Sequence, residues 1–167
     1  GAWIFHVTLG AILLRHLRYF TYPVPDMVVA LQPVAMFFGY AFGLTALYLF
    51  GRRLALPRAL YISNLPDYFA LALMAAIAGT GILMTYWVRV DLVEVKAFML
   101  GLLTLNPIAP PQHPLFLLHF SLVLVLLLYF PFSKLLHAGG IFMSPSRNQP
   151  FQVQVRGKRY VNPWDGA

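Results

Sequence analysis

Along the chain, long apolar runs alternate with short segments where charges, prolines and turn residues cluster. A helix of roughly 20 residues crosses a hydrocarbon core of about 30 Å. By that measure the pattern predicts four transmembrane spans. The first covers residues 1–20, uncharged as far as Leu14 and closed by Arg15-His16-Leu17-Arg18. Tyr22-Pro23-Val24-Pro25-Asp26 reads as a turn. The second covers residues 27–51 and ends at Arg52-Arg53, with Pro33 expected in its first turns, where a missing N–H does least harm. Residues 54–66 read as a connecting loop. The third span, residues 68–88, starts behind Pro66-Asp67 and is closed by Arg89. Residues 90–114 are mixed: Asp91, Glu94 and Lys96 lead into a short apolar stretch that stops at a proline cluster, which predicts an interfacial helix and a loop. The fourth span, residues 115–133, is interrupted near its end by Pro131.

The pattern therefore predicts an all-α integral membrane bundle over residues 1–143, followed by a polar, basic tail over residues 144–167 that cannot lie in lipid. The positive-inside rule orients it. One side holds Arg52, Arg53, Arg58, Lys134, Arg147, Arg156, Lys158 and Arg159, eight of the twelve cations, so the tail is expected on the cytoplasmic side of a prokaryotic inner membrane. The chain starts inside an apolar stretch without a basic segment ahead of it. That reads as a piece beginning within a membrane helix, with further helices upstream, and not as a signal peptide.

Composition sharpens this picture. Of 167 residues, 60% are hydrophobic and 10% charged, against about 45–50% and about 25% in an average soluble domain. With a mean hydropathy of +0.72, the chain holds more apolar surface than one core of this size buries in water. The absence of cysteine removes thiolate-bound iron–sulfur clusters and covalently attached haem c from this chain. The net charge of +7 sits at the ends of apolar runs, which suits membrane topology and not a nucleic-acid surface.

Candidate chemistry rests on histidine. His6 and His16 lie in the first span, His119 and His137 in and just after the fourth. An imidazole within a membrane is costly unless it is hydrogen-bonded or liganded. Depth pairs His6 with His137 and His16 with His119, one imidazole of each pair from each of two antiparallel helices. Facing imidazoles of this kind suit bis-histidine b-type haem. The separations differ, about 15 Å for ten residues and about 27 Å for eighteen in a straight helix, with Pro131 and Gly139-Gly140 offering places to bend. His113, between Pro111 and Pro114, reads as a loop residue. Zinc would need four ligands at one point, and no acidic residue continues a proton relay inside any span. Arg15, Arg18 and Lys134 stand beside these histidines, either to pair with haem propionates or to snorkel to the interface. Gly10, Gly39-x-x-x-Gly43 and Gly79-Thr80-Gly81 read first as small residues for helix packing. The rival to haem ligation is a haem-free structural or transport subunit whose histidines hydrogen-bond between helices.

The segments Phe5-His6 through Arg15-His16-Leu17-Arg18-Tyr19-Phe20 and Leu118-His119-Phe120-Ser121 through Phe132-Ser133-Lys134-Leu135-Leu136-His137 resemble the respiratory nitrate reductase gamma-subunit superfamily of dihaem cytochromes b. Tyr61-Ile62-Ser63, residues 90–96, Ser144-Pro145-Ser146-Arg147-Asn148 and Asn162-Pro163-Trp164 are similar to its DsrM-like branch, the membrane cytochromes b of DsrMKJOP complexes associated with dissimilatory sulfur metabolism. The resemblance implies two haems b, one held by His6 and His137 and the other by His16 and His119. It further implies exchange of electrons with a menaquinone-type quinone and with a cytoplasmic, DsrK-like iron–sulfur subunit related to heterodisulfide reductase. Other membrane and cytochrome c subunits complete such a complex. The chain itself is then expected to hold cofactors and carry no complete catalytic site.

Overall fold

The computed structural model describes residues 1–137; the expected cytoplasmic tail and Gly139-Gly140 lie outside the described residues. The chain divides into two compact units, residues 1–128 and residues 129–167. The described residues are helical, without a strand. Seven α-helices run in order: α1 (Ala2–His16), α2 (Asp26–Ala30), α3 (Ala35–Ala55), α4 (Pro57–Tyr61), α5 (Leu65–Tyr86), α6 (Leu92–Leu103) and α7 (Pro114–Tyr129). Two of them are long and apolar enough to cross a membrane: α5, and α7 with its short 3₁₀ continuation to Phe132. Residues 1–20, expected as the first span, hold α1 and a 3₁₀ turn over Leu17–Tyr19, and the mixed stretch after residue 90 holds α6, capped by Asp91, whose carboxylate accepts from Val93 N–H at 2.7 Å.

Two expectations are corrected. The second run is not one helix: α2 ends at Ala30 and α3 begins at Ala35. Pro33 lies too deep in the run to be tolerated, because it cannot donate to the carbonyl of Val29 and its ring crowds that carbonyl. Tighter bonds three residues apart bridge the break, Gln32 N–H to Val29 at 3.0 Å and Ala35 N–H to Gln32 at 3.3 Å. The loop expected over residues 54–66 contains α4, with Pro57 in its first turn, where its fixed φ is already helical.

The first unit is built outward from α3. Helices α1 and α5 both pack against α3. Phe5 and Phe42 meet at 5.1 Å between ring centroids, joining α1 to α3. Gly39 and Gly43 face α5, where added Cβ atoms would lie 3.9 Å from Ile82 and 3.6 Å from Ala78, so these glycines set close helix approach. Tyr40 stacks on Tyr86 along the same seam. A second cluster, Val95, Phe98 and Phe116 with Tyr19 and Phe120 against it, ties α6 to α7 and to the turn after α1. Beyond these seams large apolar side chains face outward, Trp3 at 83% exposure and Phe37 at 71% among them.

A polar corner fixes the start of α5. Asn64 and Asp67 cap the helix reciprocally, with Asn64 N–H donating to Asp67 Oδ2 at 3.1 Å. Arg53 of α3 stands 3.6 Å from the same oxygen and donates to Ser63 Oγ at 2.8 Å. Asp67 is buried, so its charge depends on both partners. Asp67→Ala is expected to lower stability by about 1–3 kcal/mol, and Asp67→Asn by less, since an amide oxygen still accepts from Asn64. Thermal unfolding in detergent checks this; equal melting of both variants and the parent would remove the corner from the account.

Candidate functional site

Helix α1 carries both His6 and His16, so their ten-residue spacing is a true helical rise of about 15 Å. His119 sits in the second turn of α7. His137 belongs to the second unit, where it follows the 3₁₀ turn Lys134–Leu136. The stretch from His119 to His137 is not a straight helix: α7 ends at Tyr129, Pro131 lies in a 3₁₀ turn, and Ser133 is extended at φ −115° and ψ 166°. The bend expected at Pro131 is where the α-helix ends, and the straight-helix separation does not apply.

The hydrogen bonds assign the ring tautomers. His6 Nδ1 lies 2.8 Å from the carbonyl of Ala2, His16 Nδ1 2.7 Å from that of Ile12, and His137 Nδ1 2.7 Å from that of Lys134. A carbonyl only accepts, so each Nδ1 carries the hydrogen and the neutral ring keeps its lone pair on Nε2. His119 reaches the same state differently. Its Nδ1 is 2.8 Å from Thr80 Oγ1, and that hydroxyl is itself 2.9 Å from the carbonyl of Ala76 and 3.0 Å from that of Ile77. The single hydroxyl hydrogen goes to a carbonyl, leaving the oxygen to accept from His119 Nδ1–H. His113 is the opposite case: its Nδ1 accepts from Leu115 N–H at 3.2 Å, so its neutral ring bears the hydrogen on Nε2. Four histidines thus share the form that ligates iron through Nε2, and the loop histidine does not.

His16 on α1 and His119 on α7 both belong to the first unit. The extensive backbone contacts of the bundle join α1 to α3 and α3 to α5, and the α1–α7 seam is not one of them. His119 itself is seated on α5, where a Cβ on Gly81 would stand 3.3 Å from its Cε1. Among the described residues no three His, Asp or Glu side chains converge as a metal cluster. Axial ligation asks for two imidazoles only, because a porphyrin supplies the other four donors. The donor set and the buried Arg15 Nε, next to His16 in the chain and without a hydrogen-bond partner, fit a haem carrying propionates.

The remaining cations separate. Arg18 Nη1 donates to Gln32 Oε1 at 3.2 Å and its guanidinium lies 5.7 Å from the centre of the Tyr19 ring. Lys134 stands in the second unit, its carbonyl serving His137. Arg18 and Lys96 together line a cavity of about 400 Å³ with Tyr19, Tyr22 and Leu92, and Lys96 Nζ lies 5.0 Å over the Tyr22 ring. Thr80 and Gly81 are the site residues that sequence reading placed in helix packing. Their signal was a hydroxyl between two glycines on a helix facing a histidine.

Residues 1–155 match the family described as nitrate reductase gamma subunit. The chain is 43% identical to the Hdr-like menaquinol oxidoreductase cytochrome b-like subunit of Archaeoglobus fulgidus and 40% identical to that of Archaeoglobus profundus. Each alignment covers 98% of this chain and 53% of the relative, so the chain spans about half the length of these curated relatives. No solved structure matches it.

The tautomers are directly measurable. In protein freed of cofactor, ¹⁵N–¹H correlation spectra at alkaline pH are expected to show Nδ1–H rings for His6, His16, His119 and His137, and an Nε2–H ring for His113. An Nε2–H tautomer at His16 or His119 would remove the ligand assignment at that position.

Proposed function

Because the chain belongs to the nitrate reductase gamma subunit family, as a DsrM-like member of that superfamily, we propose that it is the dihaem b membrane subunit of a respiratory redox complex. It moves electrons between a menaquinone-type quinone and a cytoplasmic, DsrK-like iron–sulfur subunit related to heterodisulfide reductase, in a complex of dissimilatory sulfur metabolism. The observation that carries this reading is the shared Nδ1-donating state of the four span histidines.

His16 and His119 would hold one haem, and His6 and His137 the other, in four spans near residues 1–20, 27–51, 68–88 and 115–133, the second of them broken at Pro33. Bound haem b supplies one-electron chemistry at its iron. The chain's own part is to fix four imidazoles, to set Arg15 against the propionates of the His16 haem, and to keep the helices dry. Arg18 and Lys96 line the cavity that would take the quinone headgroup, where their N–H groups donate to a quinone oxygen and the apolar wall carries the ring. Arg52 and Arg58, both exposed, belong to the side on which the tail and the iron–sulfur partner are placed. Without cysteine, the chain leaves iron–sulfur clusters to that partner.

A reduced-minus-oxidised spectrum of the assembled protein tests the reading. His16→Ala and His119→Ala are each expected to remove the same roughly half of a b-type signal, His6→Ala and His137→Ala the other half, and His113→Ala none. No haem absorbance in the assembled protein sinks the proposal. For the quinone cavity, Lys96→Ala is expected to slow haem reduction by a menaquinol analogue roughly tenfold while leaving the dithionite-reduced spectrum intact. An unchanged stopped-flow rate moves the quinone elsewhere.

A further inference from the structure

Six threonines among the described residues, Thr8, Thr21, Thr45, Thr80, Thr85 and Thr104, return their hydroxyls to a carbonyl one turn earlier. Thr80 alone of them also meets a side chain on another helix, His119 on α7. It is buried, and the residue after it is the glycine whose missing Cβ leaves room for the same imidazole. Hydroxyl and gap act on one ring from one face of α5. The hydroxyl fixes which nitrogen bears the hydrogen, and the gap fixes how near the ring lies to α5.

We infer that Thr80 and Gly81 form a seat on α5 that orients His119 and, through the Nδ1–H to Oγ1 hydrogen bond, tunes the haem that His119 holds. The inference rests on the haem reading above. Both are positioning residues: neither touches iron, and both act through His119. A hydrogen bond accepted from Nδ1–H makes the imidazole a stronger donor at Nε2, which favours the oxidised iron. Its loss therefore raises the midpoint potential of that haem. The other three histidines donate to backbone carbonyls, which side-chain substitution leaves in place.

The test is a potentiometric titration of both haems in the assembled protein, with transfer of haem to apomyoglobin as a second readout. Thr80→Val keeps the side-chain shape and removes the hydroxyl. It is expected to raise the midpoint of the haem that is missing in His119→Ala, to leave the other haem unmoved, and to speed loss of the first roughly tenfold or more. Thr80→Ser keeps the hydroxyl and is expected to restore the parental midpoint. Gly81→Ala, which crowds Cε1 and spares the hydrogen bond, is expected to shift the low-spin electron paramagnetic resonance signal of the same haem. If His119→Ala removes one haem but Thr80→Val and Gly81→Ala leave its midpoint, spectrum and retention unchanged, the seat is overturned and the haem reading stands. If His119→Ala retains both haems, the haem reading itself fails.

Discussion

Polar groups in this bundle find partners inside it where the apolar surroundings offer none, and the buried Arg15 Nε is the exception among the described residues. That constraint shapes the molecule at several scales. Hydroxyls of six threonines turn back to carbonyls one turn earlier in the chain. The buried carboxylate of Asp67 is met by a helix cap and by Arg53. The histidines obey the same rule through Nδ1, and a neutral ring whose Nδ1 bears the hydrogen keeps its lone pair on Nε2. Ligand readiness here is a by-product of polar satisfaction in a low-dielectric interior.

The packing follows from where side chains are small. Gly39 and Gly43 bring α3 against α5, and aromatic rings fill the seam toward α1. A small residue thus does different work according to what faces it. Opposite Ala78, Gly43 admits a helix; opposite His119, Gly81 admits an imidazole. The aromatic cluster of Phe98, Phe116 and Phe120 holds the start of α7 beside α6, the same part of α7 that carries His119.

Much of this was legible in the sequence, for reasons that differ by element. Helix α5 is legible because the Pro66-Asp67 start signal and an uninterrupted apolar run point the same way, although it begins at Leu65 and ends at Tyr86 rather than covering residues 68–88. A helix after residue 90 reads correctly because Asp91, Glu94 and Lys96 lead into a short apolar stretch, and Asp91 caps it. The second run misleads, since charge counting sees an unbroken stretch while one missing N–H at Pro33 divides it. The histidine spacing on α1 survives intact, being local to one helix. The spacing after His119 does not, because its value depends on a bend that composition cannot measure. Thr80 was the least legible residue: its partner is 39 positions away, and only the register of α5 against α7 puts the two together.

The way each ring is anchored bears on how this site can diverge. A backbone carbonyl is the same whatever residue bears it, so the anchors of His6, His16 and His137 are invisible to most point mutations. The anchor of His119 is encoded in a side chain. A single substitution at position 80 therefore reaches the side-chain partner of one of the four rings without changing the backbone partners of the others.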